Sequence, residues 1–186
     1  MNQLDGCPIG KALSGPFAGI FMIWWELHFQ QRVSSFKFKL WKRMGDDILA
    51  VWSYDMDLLP KAIEEMNSIE PCIVLTYETG DENRSLSFLD MRLTRTPTTE
   101  TPFKFSTNVY RKRTHTNRYL HARSYRLQST LFGVLKGLAN RAERLLICDD
   151  DDEDDFKDEM DFLIDTFILN GFVMTKTKRV LDRYLA

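Results

Sequence analysis

Two adjacent aspartates, Asp46 and Asp47, follow Met44-Gly45 and precede the apolar run Ile48-Leu49-Ala50-Val51-Trp52. Carboxylates side by side on a tight turn bring hard oxygen donors to one point. Mg2+ and Mn2+ take that ligand type. Nucleotidyl transfer uses two such ions about 4 Å apart. The pair also has an ordinary reading, because Asp favours turns by hydrogen-bonding its own backbone.

A second feature could do chemistry of another kind. Residues 91–145 hold twelve Lys or Arg against two Glu. Within that span Tyr110, His115, Tyr119, His121 and Tyr125 alternate with Arg111, Lys112, Arg113, Arg118, Arg123 and Arg126. Cations neutralise phosphates, and rings stack on bases, so such a strip suits a nucleic-acid backbone. The competing reading is a solvated face. His115 and His121 read more simply as hydrogen-bonded structure than as catalytic groups. Residues 149–155 are all acidic. They read as a solvated linker running into a helix N-terminus, where carboxylates meet the positive end of the dipole. A calcium loop would need a glycine and a ligand spacing that the run lacks.

The elements that position these groups can be read from periodicity. Residues 1–15 form a Gly- and Pro-containing loop. An apolar helix follows over residues 16 to about 30, with Pro16 in its first turn. Phe36, Phe38 and Leu40 alternate with lysines, as in a strand, and residues 48–52 form its hairpin partner. Residues 58–66 read as a helix, and 72–77 as a strand. Residues 80–83 form a turn, and strands follow over 86–94 and 104–110. From residue 127 the three- and four-residue spacing of Leu131, Val134, Leu135, Leu138 and Ala142 is helical. A second helix over 155–169 ends at Asn170-Gly171, and a third covers 176–185. A mixed half followed by a helical half gives an α+β fold class. Trp24, Trp25, Trp41 and Trp52 are expected in the core.

The totals bound the reading. The chain has 186 residues, 44% hydrophobic and 12% aromatic, enough for a packed core. The net charge of −2 conceals the segregation described above. Cys7, Cys72 and Cys148 are odd in number and lack metal-ligand spacing, which points to an intracellular, unsecreted chain in nucleus or cytoplasm. Asp5 and Lys11 break any signal peptide. The apolar stretch 17–25 is shorter than the ~20 residues of a membrane span.

Four ordered motifs then resemble a known family. Gln3-Leu4-Asp5-Gly6-Cys7-Pro8-Ile9-Gly10-Lys11-Ala12-Leu13-Ser14 resembles the glycine motif of a polymerase palm. Leu40-Trp41-Lys42-Arg43-Met44-Gly45-Asp46-Asp47-Ile48 resembles the reverse-transcriptase motif with an aromatic residue before two aspartates. Ser87-Phe88-Leu89-Asp90 resembles the primer-grip element. Val109-Tyr110-Arg111-Lys112-Arg113-Thr114-His115-Thr116-Asn117-Arg118-Tyr119-Leu120-His121 resembles the signature of Penelope-like retroelements, and Gly133-Val134 with Asn140-Arg141-Ala142 fits the pattern that follows it. The resemblance implies the C-terminal part of a reverse transcriptase. It implies a partial palm over 1–115 and a helical thumb, or helix-turn-helix-like region, over 116–186.

By the same resemblance Asp46 and Asp47 are catalytic and hold Mg2+ or Mn2+. Gln3, Gly6, Pro8 and Gly10 line the nucleotide and template side, and Phe88 and Leu89 grip the primer. Arg111, Lys112, Arg113, Arg118, Arg123 and Arg126 follow an RNA template paired with a DNA primer. The chain departs from the family at several positions. Met44 and Gly45 replace an aromatic and a larger residue. Ile9, Lys11, Ala12, Gly15 and Arg113 replace more usual residues. Met-Gly-Asp-Asp also resembles the motif of viral RNA-dependent RNA polymerases, a class that the downstream match disfavours. The family places a further catalytic aspartate upstream of the glycine motif. The expectation is therefore a missing N-terminal polymerase part, little activity alone, and exposed apolar surface on the first helix. The alternative is a non-catalytic nucleic-acid-binding module.

Overall fold

A computed structural model describes residues 6–8, 10–32, 35–97, 103–146 and 153–185. The fold is α+β, with five α-helices and two small antiparallel sheets among the described residues. The chain divides into two compact units, Met1–Glu78 and Thr79–Ala186. The expected division at 115/116 differs from this one, because the strands after residue 79 pack with the helices that follow them. Thr107 Oγ1, for example, donates to Leu145 O.

In the first unit, α1 covers Ser14–Arg32. It begins two residues before the expected start, with Ser14 N donating to Lys11 O and Ser14 Oγ to Pro8 O. Pro16 falls in the first turn, where its missing N–H leaves no helical bond unmade. Strands β1 (Leu40–Met44) and β2 (Asp47–Val51) form a hairpin, and α2 covers Leu59–Asn67 after a short 3-10 turn at Met56–Leu58. The core gathers Trp25, Phe29, Phe36, Ala62 and Met66, with Phe38, Trp41 and Trp52 packed against it. Trp24 departs from expectation. It is 40% exposed and stacks on Phe21 instead. Helix α1 carries apolar residues on every side, so burying Trp25 and Phe29 leaves Phe17, Ile20, Ile23 and Leu27 exposed.

Two expected strands of this unit are corrected. The alternation at Phe36 and Phe38 is present, with Phe36 buried and Phe38 packed on the core, but pairing starts only at Leu40. Residues 72–77 pair with no strand among the described residues. Asn67 takes the place of a strand there: Leu75 N donates to its Oδ1 (2.7 Å), and its Nδ2 donates to Leu75 O (3.1 Å). Ile73 and Leu75 still face the core while Val74 is exposed, which is the alternation that a strand would show.

In the second unit, β3 (Ser85–Phe88), β4 (Met91–Thr96) and β5 (Lys104–Val109) form a three-stranded antiparallel sheet in chain order. The single strand expected over 86–94 is a hairpin, turning at Leu89-Asp90 between the paired Phe88 and Met91. Leu89 has φ +54°, a value that its Cβ disfavours, so the sequence carries no Gly or Asn to mark the turn.

Helices α3 (Gln128–Leu145), α4 (Glu153–Leu169) and α5 (Met174–Leu185) all pack on one another. Leu131, Leu135, Ala139 and Ala142 of α3 meet Met160, Leu163, Ile164 and Phe167 of α4, with Phe172 and Leu181 completing the core. Each fully buried Leu here contributes about 2 kcal/mol. The end of α4 is a Schellman cap. Phe172 N donates to Phe167 O, Gly171 N donates to Ile168 O, and the Phe167 and Phe172 rings lie 5.0 Å apart. Gly171 has φ +86°, and a Cβ there would stand 2.8 Å from His121 Nε2. Among the described residues no helix is long and apolar enough to cross a membrane.

Candidate nucleic-acid interface

The carboxylate pair sits at the tip of the β1–β2 hairpin. Met44 pairs with Asp47, so Gly45 and Asp46 are the two turn residues. Gly45 has φ +66°, as a two-residue turn with glycine first requires. Glu26 of α1 holds the neck of the hairpin. Its carboxylate accepts from Trp41 Nε1 (3.0 Å) and Arg43 Nε (2.8 Å). Burial pushes the Glu26 carboxyl up. The Arg43 and Trp41 hydrogen bonds and the Arg43 charge outweigh that effect and leave it below its ordinary value.

A carboxyl lowered in the folded state contributes stability at pH values above its unfolded pKa, and loses it as pH falls through the folded value. Thermal melts of the wild type are therefore expected to weaken below about pH 4.5. Glu26→Gln should lower the melting temperature at pH 7 and flatten this acid dependence. An unchanged acid slope in Glu26→Gln would count against the Glu26 linkage.

Asp46 and Asp47 are both exposed. Among the described residues, no group of three or more His, Cys, Asp or Glu is placed to hold a metal. Two exposed carboxylates without a third ligand do not fit a two-ion centre, which needs bridging and terminal oxygens on both ions. Of the glycine motif, Gln3 lies outside the described residues. Gly6, Pro8 and Gly10 form an exposed stretch ahead of α1, with φ +71° at Gly6 and +83° at Gly10. Phe88 and Leu89 belong to the second unit. Phe88 closes the β3–β4 hairpin, and Leu89, 43% exposed, is its turn.

The basic strip is an irregular segment between β5 and α3, and Asn170 is its main anchor. Asn170, buried at the end of α4, accepts from Tyr119 N at Oδ1 (3.0 Å) and donates from Nδ2 to Asn117 O (2.9 Å) and Thr166 O (2.7 Å). Its own carbonyl accepts from Ala122 N (3.0 Å). The Tyr119 ring stacks on Phe167, at a 6.0 Å centroid distance and 20° between planes. Both histidines tie the segment to itself. Asn117 N donates to His115 Nδ1, and Arg123 N donates to His121 Nδ1.

This anchoring sorts the cations. Lys112, Arg113, Arg118, Arg123 and Arg126 are exposed, and none has a carboxylate partner among the described residues. Tyr125 stands fully in solvent among them. Arg111 is different. Both of its terminal nitrogens donate to the Glu159 carboxylate, and its guanidinium lies 4.1 Å from the centre of the Phe162 ring. Its charge is neutralised inside the fold, so Arg111 is a structural cation and a poor phosphate contact.

Sequence reasoning passed over Asn170 except as a helix cap, and it missed Glu26 and Glu159. A polar residue just before a capping glycine was the available signal for Asn170. Neither glutamate has a signal at short range, because its arginine lies 17 or 48 positions away. No family model, curated protein or solved structure matches the chain.

Proposed function

We propose that this chain is part of a reverse transcriptase similar to those of Penelope-like retroelements. In this reading, residues 112–126 hold the backbone of an RNA template paired with a DNA primer. One observation carries the binding role. Five exposed cations without carboxylate partners among the described residues, and one exposed tyrosine, stand on a segment whose backbone Asn170 holds. Fixed cations neutralise phosphates without first losing the freedom of a loose loop. A merely solvated face has no need of such anchoring. The four ordered motifs supply the family reading. By resemblance alone, Asp46 and Asp47 correspond to the pair that holds Mg2+ or Mn2+ in such enzymes. The ligand set of the described residues supports no step of nucleotidyl transfer.

The test is fluorescence anisotropy with a short RNA–DNA hybrid. A variant with Arg113, Arg118, Arg123 and Arg126 all changed to Gln is expected to bind roughly a thousandfold more weakly at about 0.15 M salt. Affinity equal to that of the wild type would overturn the binding role.

A further inference from the structure

Helix α5 carries a second group of cations outside the basic strip. Lys176, Lys178, Arg179 and Arg183 are all exposed, against one carboxylate on the helix, Asp182. None of the four has a carboxylate partner among the described residues. At 100° per residue, Lys176, Arg179 and Arg183 fall within about 60° of arc and form a stripe roughly 10 Å long. Leu181 lies in the core, with Val180 and Tyr184 packed against it, so the fold holds the stripe toward solvent. The two last helices also sort their charges by sign. Asp154, Asp158, Asp161 and Asp165 are exposed on α4, where Lys157 is the single cation. A merely solvated face mixes signs, because opposite charges one turn apart stabilise a helix and like charges oppose it. The stripe of α5 adjoins the strip. Ala122 N donates to Asn170 O just ahead of α5, and Lys176 Nζ donates to Gln128 Oε1 (2.8 Å), close behind Arg126 in the chain. The Lys176 ammonium also lies 5.3 Å from the centre of the Phe132 ring. Both of these partners are neutral and leave its charge uncompensated.

We propose that α5 holds the same RNA–DNA hybrid as the strip, through Lys176, Arg179 and Arg183, and that the two surfaces form one continuous track for its phosphates. This inference rests on the hybrid-binding reading of residues 112–126. Charge complementarity selects a polyanion, and the junction at Gln128 selects the one that the strip already holds. Aligned cations neutralise phosphates whatever the base sequence, so the contact positions the hybrid and reads no bases. An anionic membrane fits less well. A helix that lies on a bilayer inserts an apolar face, and Val180, Leu181 and Tyr184 of α5 are already engaged with the core.

The test is hybrid affinity against salt, by fluorescence anisotropy with the full chain. With Lys176, Arg179 and Arg183 all changed to Gln, the slope of log affinity against log salt should be shallower by about 2.7, at about 0.9 for each cation. Affinity should fall roughly a hundredfold at about 0.15 M salt. Arg179→Glu changes one exposed side chain and should fold normally, yet weaken binding about tenfold. Wild-type affinity and slope in both folded variants overturn the inference. A slope that falls in the α5 variant, but not in the variant with Arg113, Arg118, Arg123 and Arg126 changed to Gln, supports the α5 contact and removes the strip. The reverse pattern keeps the strip and overturns the α5 contact. Polyglutamate is the second probe. Binding of polyglutamate as tight as that of the hybrid, and lost equally in the α5 variant, would make α5 a surface for acidic proteins and overturn the choice of partner. No binding of the hybrid by the wild type overturns both readings together.

Discussion

Asn170→Ala is expected to destabilise the second unit by about 3 kcal/mol and to free the basic segment from it. The side chain makes three hydrogen bonds, to Tyr119 N, Asn117 O and Thr166 O, and the residue is buried. Each such bond contributes about 1 kcal/mol, and the backbone groups left behind lose their partners. Alanine also favours the ordinary helix over the cap that Asn170 and Gly171 form. Asn170→Asp is nearly isosteric but loses both Nδ2 donations, and places an oxygen against two carbonyls. It should therefore be at least as damaging. Urea unfolding gives the stability, and amide exchange at Tyr119 and Ala122 gives the loosening. Hybrid binding should weaken in both variants although no cation has been removed. Wild-type stability in Asn170→Ala, with protection at Tyr119 retained, would contradict the anchoring role.

The second large effect concerns Arg111, which behaves unlike its neighbours. Arg111→Ala leaves the Glu159 carboxylate, only 11% exposed, without its partner. It also removes the cation over Phe162. A loss of about 2 kcal/mol is expected, below the full 3–5 kcal/mol of a deeply buried pair because Arg111 is itself 23% exposed. The double variant Arg111→Met with Glu159→Leu should recover most of that loss, since apolar side chains of similar size replace buried pairs well. Hybrid binding by folded Arg111→Ala should keep its salt dependence, because the residue neutralises no phosphate. The opposite pattern, with stability intact and salt dependence reduced by about one contact, would make Arg111 a member of the strip.

Sequence made some of this legible and hid the rest for physical reasons. The spacing of Leu131, Leu135 and Ala142 exposed the buried face of α3, because that helix has one apolar side. Helix α1 has apolar residues on all sides, so its presence was evident, but nothing marked Trp25 as core and Trp24 as surface. The turn at Gly45 could be read because glycine supplies the positive φ. The turn at Leu89 could not, because a leucine adopts the same region. Residues 72–77 read as a strand from their β-branched run, and only the fold shows that Asn67 replaces the partner strand. The basic strip was legible as composition. Which of its arginines is neutralised was not, since Glu159 lies 48 residues beyond Arg111.

Hybrid affinity as a function of salt tests the central claim most directly, measured from about 0.05 to 0.2 M for the wild type and for the variant with Arg113, Arg118, Arg123 and Arg126 changed to Gln. Each phosphate contact contributes about 0.9 to the slope of log affinity against log salt, so the variant should be shallower by three to four units, roughly one for each cation removed. Parallel slopes for the two folded proteins would mean that these arginines meet no phosphate, and would contradict the account.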